Sequence, residues 1–183
     1  MKIIQQLQDY ARRYPTENAK VQRYLAFAAC GDNWFDRSRL DGHFTASAWV
    51  VSADGKRTLL THHRKLQKWV QLGGHADGNP DLAPEALRET EEESGLTDLE
   101  LISDDILDID DHLIPARGAE PEHTHWDVRF AVRASGSEEF AVTEESLDLA
   151  WVDIASMIGN PLYEESVQRM ARKWLARAEA AVA

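Results

Sequence analysis

A glutamate-rich run is the part of this sequence whose residue types could do the most chemistry. The stretch "LGGHADGNPDLAPEALRETEEESGL", Leu72 to Leu96, has two glycines, then a turn-rich loop, then five glutamates from Glu85 to Glu93. An exposed helix tolerates such a run, because like charges four residues apart cost only about 0.2–0.5 kcal/mol. A solvent-facing helix is therefore the interpretation that any chemical one must displace.

Helix geometry gives the same run a second interpretation. At about 100° per residue, the carboxylates share one narrow face and small or apolar residues share another: Glu85, Glu89, Glu92 and Glu93 on the first, and Ala86, Leu87 and Thr90 on the second. Carboxylates about 6 Å apart in a partly shielded cleft repel each other by roughly 3 kcal/mol per pair. Such a face attracts divalent cations, and hard oxygen ligands favour Mg²⁺, with Mn²⁺ close behind. Spacing alone leaves both interpretations open.

The order of the residues favours the second interpretation. It fits the pattern G-x5-E-x7-R-E-U-x-E-E-x-G-U, in which U is a bulky apolar residue, at Gly74, Arg88, Glu89, Glu92, Glu93, Gly95 and Leu96. Thr90 takes the first U position as a small substitute. The sequence thus resembles the Nudix hydrolase family, whose box is a loop, a helix and a loop after a strand, here "KWVQLGG". We call residues 74–96 the glutamate motif.

One position departs from this pattern. The first glutamate of the pattern falls on Pro80, and the resemblance implies that this glutamate orients the arginine of the motif. Arg88 therefore needs another partner, and we expect Asp81 or Asp77 to serve. Pro80 and Pro84 stand where a helix start tolerates proline, so they shift the loop without breaking the turn that carries the glutamates.

The resemblance implies hydrolysis of a nucleoside diphosphate linked to a group X, by metal-assisted attack of water on phosphorus. Glu89, Glu92 and Glu93 would hold Mg²⁺, and the backbone carbonyl of Gly73 is a further ligand by position. Among these, Glu92 and Glu93 are also expected to serve catalysis, together with Arg88. The expected reaction is the cleavage of a diphosphate bond into two phosphorylated products.

Glycines and loop glutamates complete the expected site. Gly73 and Gly74 let the backbone come close to the diphosphate, which a Cβ would obstruct, and Gly95 is expected to end the helix in a left-handed cap. Many Nudix enzymes add a carboxylate from outside the box as a general base. In "TEESLDLAW" the candidates are Glu145, the first choice, and Glu144, just before a strand, and Glu138 and Glu139 before this segment are weaker candidates. The alternative is that these glutamates are ordinary solvated loop charges.

A second polar pattern is "EHTHWDVRF". A strand period of two places His123, His125, Asp127 and Arg129 on one face, opposite the apolar Trp126, Val128, Phe130 and Val132. The apolar face is expected to be core. The polar face is either an ordinary wet sheet surface or part of a substrate pocket.

Further histidines favour the pocket, because His62, His63 and His75 flank the strand of the motif. The side chains that we expect to meet phosphate or base are His63, Arg64 or Lys65, His75, His123, His125 and Arg129. The segments "HHRKLQKWVQLGGHADG" and "HTHWDVRF" together also resemble a His-rich Nudix subgroup that has no settled substrate.

Two other classes of function compete with the enzyme that the resemblance implies. The first is a Nudix fold kept as a nucleotide sensor without turnover, which would usually have lost its metal glutamates. The second is a zinc-dependent hydrolase that uses His62, His63, His75, His123 and His125, a set that spacing alone permits. Against the zinc hydrolase, these histidines fall on predicted strands and loops and form no H-x3-H helix.

The elements around these residues predict one architecture. Apolar residues recur at helical spacing in the first forty residues, where Gly31 can close the second helix, and again after Pro161. Strand patterns lie between them, at 43–52, 57–63, 68–72, 99–110, 123–134 and 148–154. With a helix at Leu82 to Ser94, we expect an α/β/α sandwich with a mixed β-sheet, as the resemblance also implies.

The predicted organisation is one domain over residues 1–183. It comprises a helical N-terminal extension, 1–40, a mixed-sheet core, 43–155, and a C-terminal helix, 161–182. The extension could cap the substrate pocket or form the interface of a homodimer.

Charge and composition exclude several classes of partner. The chain has 32 acidic and 20 basic residues and a net charge of −12, which opposes binding to a nucleic-acid polymer or an anionic membrane. A small-molecule nucleotide suits it, because metal ions can supply local positive charge. The single cysteine, Cys30, is expected to be a buried thiol near a helix end. No secretory or membrane-spanning run is visible, so we expect a cytoplasmic protein.

Overall fold

The computed structural model describes residues 2–31, 33–144 and 146–180. Its four α-helices are α1 (Lys2–Arg13), α2 (Asn18–Ala28), α3 (Leu82–Ser94) and α4 (Glu165–Ala180). Its strands are β1 (Gly42–Val51), β2 (Arg57–His63), β3 (Lys68–Val70), β4 (Leu72–His75), β5 (Leu99–Leu101), β6 (Asp108–Ile114), β7 (His123–Ala134) and β8 (Ser146–Asp153).

The strands form one mixed sheet centred on β1. Strand β1 pairs in parallel with β7 over its whole length, from Gly42 opposite Thr124 to Val51 opposite Arg133. On its other edge β1 pairs antiparallel with β4 and then with β2. The remaining pairs, β2 with β3 and β8 and β7 with β5 and β6, are also antiparallel.

Successive strand residues point to opposite sides of the sheet. Both faces carry apolar side chains, and helices cover both. On one face Phe44, Ala46, Val128 and Phe130 pack with buried residues of α1, α2 and α3. On the other face Trp49, Val51 and Ala131 pack with Val167, Met170 and Trp174, which α4 supplies. The predicted α/β/α sandwich with a mixed sheet is therefore confirmed.

Local patterns located most elements correctly. The bounds predicted for α3 hold, and Gly95 ends it with φ +67° while its N–H donates to the carbonyl of Glu91. The strands predicted at 68–72 and 99–110 are each two strands, β3 with β4 and β5 with β6, and the C-terminal helix begins at Glu165 rather than at Pro161.

The N-terminal segment differs more from expectation. Helix α2 ends at Ala28, so the last part of the expected helical region is loop, and Cys30 lies exposed beyond the helix end. The prediction of a buried thiol was wrong, because burial on α2 stops where the helix stops. Both helices nevertheless pack on the sheet: the Tyr24 hydroxyl donates to the carbonyl of Asp127, and Phe27 stacks on Trp126.

The helical extension is thus part of the core, with Ile3, Leu7, Tyr10, Val21 and Tyr24 buried. Over the described residues, none of the helices combines the length and the apolar character needed to cross a bilayer.

Candidate active site

Strand β4 lies close to strand β1 and to helix α3, and glycine occupies the position of closest approach to each. Gly73 has φ +150°, and a Cβ there would lie 2.5 Å from the carbonyl oxygen of Ala46 and from Cα of Ser47 on β1. A Cβ on Gly74 would overlap the carboxylate of Glu89. Gly73 therefore lets β4 lie close to β1, and Gly74 lets the carboxylate of Glu89 rest against the backbone of β4.

The three predicted metal ligands occupy different depths at this junction. Glu93 is 8% exposed, and its Oε2 accepts the N–H of Gly73 at 2.9 Å. Burial raises the pKa of Glu89, although neighbouring Arg88 opposes the shift. The side chain of Glu92 is 60% exposed and lies at the rim. The carboxylate face predicted for α3 is therefore a partly buried one, and the solvent-facing interpretation holds only for its edge.

Arg88 holds this face together through three carboxylates. Its Nε donates to Glu85 at 2.7 Å, its Nη2 to Glu89 at 2.6 Å and its Nη1 to Glu92 at 2.9 Å. These partners, Glu85 foremost, raise the pKa of the guanidinium further. Asn79 Nδ2 donates to the other oxygen of Glu85 at 2.6 Å, which fixes that carboxylate in turn.

The expected partners of Arg88 were wrong. Asp81 pairs with Lys2 at 2.8 Å, and Asp77 pairs with Arg37 at 2.8 Å. Glu85 takes the place of the glutamate that Pro80 replaces. The signal was present in the sequence, because residues three apart on a helix are neighbours.

The carboxylates of the motif are not gathered around one point. Within the described part of the chain, a single group of three side chains brings potential metal-ligand atoms within 4.8 Å of one another, and it consists of His43, His123 and His125. Arg88 explains the difference, since it draws Glu89 and Glu92 towards its own nitrogens.

The loop before β8 packs against the end of α3. The N–H of Ala141 donates to the carbonyl of Ser94 at 2.7 Å, one residue beyond Glu93. Glu144 is exposed in this loop, and Glu145 lies outside the described residues. Arg64 donates to the carbonyls of Glu144 and Ser146 at 2.8 and 3.0 Å, so its guanidinium supports the loop backbone.

Five histidines form a second group, which we call the histidine cluster: His43, His75, His112, His123 and His125. Ring centroids lie 4.9 Å apart for His43 and His125, 5.2 Å for His43 and His123, and 5.1 Å for His123 and His125. His75 lies 5.1 Å from both His43 and His125, and His112 lies 5.5 Å from His125.

Sequence reasoning missed His43 and His112. Parallel pairing places His43 directly opposite His125, and β6 places His112 beside the same residue. These pairings join distant parts of the chain, so no local pattern could reveal them. His62 and His63 lie instead at the β2–β3 hairpin, where His62 stacks on Trp69 and His63 Nδ1 accepts the N–H groups of Lys65 and Leu66.

Burial favours the neutral form of three imidazoles of the histidine cluster, His43, His75 and His125. His43 is 1% exposed, and burial, followed by the neighbouring His75, lowers its pKa to about 4. Burial and then His43 lower the pKa of His125 to about 2, and burial and then Arg37 lower the pKa of His75. At neutral pH these rings therefore carry lone pairs rather than positive charge.

Hydrogen bonding within the histidine cluster is incomplete. His123 Nδ1 lies 2.9 Å from the carbonyl oxygen of Pro121, and its Nε2 lies 3.2 Å from Nε2 of His125. Neither ring nitrogen of His43 has a hydrogen-bond partner among the described residues. The backbone of Arg39 lies near the His43 ring and opposes the lowering of its pKa. The contact does not have the geometry of a hydrogen bond.

Next to the histidines on the same sheet face lies a group that we call the ion network: Asp108, Asp110, Asp127, Arg129, Arg169 and Lys173. Arg129 is 3% exposed and contacts Asp127 at 2.7 Å, Asp108 at 3.2 Å and Asp110 at 3.5 Å. The wet-surface interpretation was wrong for this part of the face, because α4 packs against it with Arg169 and Lys173, and the neighbouring strand β6 adds Asp108 and Asp110. Arg129 was predicted to meet substrate, but its guanidinium is enclosed by these carboxylates.

Comparison with known proteins agrees with the residue pattern. Residues 42–176 match the family model of the NUDIX domain. No curated protein matches the chain in sequence.

Solved structures with a similar fold have low sequence identity to this chain. An Ap4A hydrolase from C. elegans is 20% identical, with a TM-score of 0.58, and the match covers 75% of this chain and 98% of that one. A Nudix hydrolase from M. smegmatis is 16% identical, with a TM-score of 0.53 and coverage of 84% and 98%. The E. coli dihydroneopterin triphosphate pyrophosphohydrolase is 17% identical, with a TM-score of 0.52 and coverage of 73% and 95%.

Proposed function

Because this chain belongs to the Nudix hydrolase family, whose members hydrolyse pyrophosphate bonds, we propose that it is a divalent-metal-dependent enzyme that cleaves a nucleoside diphosphate linked to a group X. The reaction would be attack of water on phosphorus, with two phosphorylated products. Mg²⁺ is the proposed cofactor, with Mn²⁺ as a substitute.

The observation that carries this proposal is the junction of α3 with β4. Glu89 and Glu93 turn inward against the glycine backbone of β4, where Glu89 accepts from Arg88 and Glu93 accepts from the N–H of Gly73. The raised pKa of Glu89 reflects this position, since burial penalises its negative charge. The carboxylate oxygens of Glu89 and Glu93 are hard, partly buried donors beside a backbone without side chains. Such donors suit a small divalent cation that also binds phosphate oxygens.

Glu89, Glu92 and Glu93 would hold the cation, with the Gly73 carbonyl as a further ligand. When bound, the cation would neutralise diphosphate charge and lower the pKa of water so that it can attack near neutral pH. Glu85 is not one of the proposed metal ligands, and Asn79 holds its carboxylate in place. Glu85 can therefore keep its bond to Arg88 when Glu89 and Glu92 bind a cation instead of the arginine. Gly74 would keep the β4 backbone accessible to the diphosphate.

The loop before β8 would supply the base. Glu144 and Glu145 are the proposed acceptors of the water proton, and Arg64 would position them through its bonds to the loop carbonyls. His63 and His75 stay proposed substrate contacts, at the hairpin and at the end of β4. The polar groups of the substrate that they would meet depend on the identity of X.

The test compares two glutamates on the same helix. The purified protein is assayed with Mg²⁺ against nucleoside triphosphates, nucleotide sugars, ADP-ribose and dinucleoside polyphosphates, scoring phosphate-containing products. On the best substrate, Glu93→Gln should lower turnover at least about 100-fold. Glu91→Gln is the matched control, because Glu91 is exposed and stands at the free position of the motif.

Two outcomes would contradict the proposal. Equal turnover in wild type, Glu93→Gln and Glu91→Gln would show that the catalytic cation is not bound by α3. Binding of nucleotides without any turnover across the whole panel would instead favour the sensor. The zinc-dependent hydrolase is distinguished by its behaviour in zinc-free buffer, where Mg²⁺ alone would not support activity.

A further inference from the structure

We infer that His43, His123 and His125 form a binding site for one transition-metal dication of the zinc class. This site has its own ligand set, distinct from the glutamates of the motif. His75 is the nearest additional imidazole. The inference extends beyond the proposed hydrolysis and does not depend on it.

Ring spacing matches a single shared ion. Three imidazoles bound tetrahedrally at a Zn–N distance of about 2.0 Å have ring centroids roughly 5 Å apart and ligand nitrogens roughly 3.3 Å apart. The three centroid distances here are 4.9, 5.1 and 5.2 Å, and Nε2 of His123 lies 3.2 Å from Nε2 of His125. One ligand atom from each residue lies within 4.8 Å of the others, so an ion bound by all three would draw the ligand nitrogens closer together.

His43 provides an independent observation. It is 1% exposed, and both of its ring nitrogens are buried without a hydrogen-bond partner among the described residues. A buried polar group left unpaired costs about 1–3 kcal/mol, and native structures rarely retain one without a ligand, water or functional reason. A metal ion between the rings would satisfy one nitrogen of His43 directly.

The surroundings of His123 orient it as a metal ligand. Its Nδ1 lies 2.9 Å from the Pro121 carbonyl oxygen, which can only accept, so Nδ1 carries the proton. Nε2 is then left with its lone pair and points towards His125. Metal-bound histidines characteristically donate the other ring N–H to a backbone carbonyl in this way.

Entry and charge are also consistent with a cation. His75 and His125 are half-buried and His112 is exposed, so the cluster opens to solvent on that side. Glu120 Oε1 lies 3.9 Å from His123 Nε2 and supplies nearby negative charge. Neutral imidazoles select zinc, cobalt, nickel or copper, whereas Mg²⁺ prefers oxygen ligands. The histidine cluster would therefore bind a transition-metal ion, and the glutamate motif would bind Mg²⁺.

The experiment measures metal binding directly, not turnover. Tag-free, full-length protein is stripped with a chelator and titrated with Co²⁺ in excess Mg²⁺, which occupies oxygen sites. We expect one equivalent of Co²⁺ to give a visible absorption band of low-symmetry coordination, and Zn²⁺ to displace it. His125→Ala and His43→Phe should each weaken binding by more than about 100-fold, beyond the effect expected of an outer partner.

Two controls separate this site from other ligands. His62→Phe removes a histidine that stacks on Trp69, and Glu93→Gln alters the motif; both should keep the band and the wild-type affinity. The inference is overturned if the wild type shows no saturable band, if His125→Ala binds like the wild type, or if Glu93→Gln alone abolishes the band. His125 is half-buried, so its variant remains decisive even if His43→Phe does not fold. Because the readout is absorption, failure of the proposed hydrolysis would leave this result unchanged.

Discussion

Two groups of polar side chains, each with a fully buried member, lie side by side on one face of the sheet, and the hydrogen-bonding needs of those buried members are met to opposite degrees. In the ion network, Asp108 is 0% exposed and contacts Lys173 at 2.6 Å, Arg169 at 2.7 Å and Arg129 at 3.2 Å. In the histidine cluster, the equally buried His43 has no hydrogen-bond partner among the described residues. One group is complete within the protein, and the other is not.

This difference distinguishes polar side chains that stabilise the fold from polar side chains that are free to bind a ligand. A buried ion network with every charge paired fixes how β6, β7 and α4 meet, and removing one member leaves the others exposed to a low dielectric. A buried imidazole without a partner gains nothing from its position unless something binds it. Asp108 and His43 are both almost fully buried, so their burial does not distinguish them, whereas their hydrogen-bond partners do.

The largest expected effect comes from removing the centre of the ion network. Asp108→Asn removes the carboxylate that Arg129, Arg169 and Lys173 share, although each keeps at least one other acidic partner. Unfolding in urea should therefore become easier by about 3 kcal/mol, the lower end of the cost of breaking a buried ion pair. Asp111→Asn is the matched control on the same strand. Its pair with Arg23 is at the surface, and its loss should cost less than about 1 kcal/mol. Equal effects in the two variants would contradict the distinction drawn for Asp108.

Acid should remove the same stabilisation from the wild type. Charged partners hold the pKa of Asp108 at about 2 against the opposing effect of burial, below its ordinary value of 3.8. A lowered folded-state pKa means that the contribution is complete above pH 3.8 and is lost as the pH falls towards 2. The difference in unfolding free energy between wild type and Asp108→Asn should therefore shrink over that range, by on the order of 2 kcal/mol. A difference that is constant from neutral pH to pH 2 would rule out this linkage.

The sequence predicted those parts of the fold and the site that depend on short spacing. Helix α3 and the polar face of β7 follow from periods of 3.6 and two, and the motif fixed the positions of the glutamates. Pairing between distant strands was not accessible, which is why His43 was missed although it faces His125. The burial of Arg129 was also hidden, because Arg169 and Lys173 come from a helix at the far end of the chain.

Glu85 represents an intermediate case. It lies on the carboxylate face recognised in the sequence, yet the loop aspartates were preferred as partners of Arg88. The actual bond between Arg88 and Glu85 forms within one turn of α3. Spacing along the helix therefore predicts the partner of Arg88 better than closeness in sequence to Pro80, where the pattern has its glutamate.

The smallest expected effect is the most informative for the comparison. In chelator-containing buffer, His43→Phe should change the unfolding free energy by less than about 1 kcal/mol, because an apolar replacement of similar size loses no hydrogen bond. Thr45→Val is its matched control, at the next position on the same face of β1. Thr45 donates to Asp127 at 3.0 Å, so its loss should cost about 1–3 kcal/mol. Zinc should then reverse the order of the variants: wild type and Thr45→Val gain thermal stability on addition of Zn²⁺, since a ligand that binds only the folded state stabilises it, while His43→Phe does not. A large loss for His43→Phe without metal would mean that His43 is a structural residue like its neighbours in the ion network, and the two groups would no longer differ.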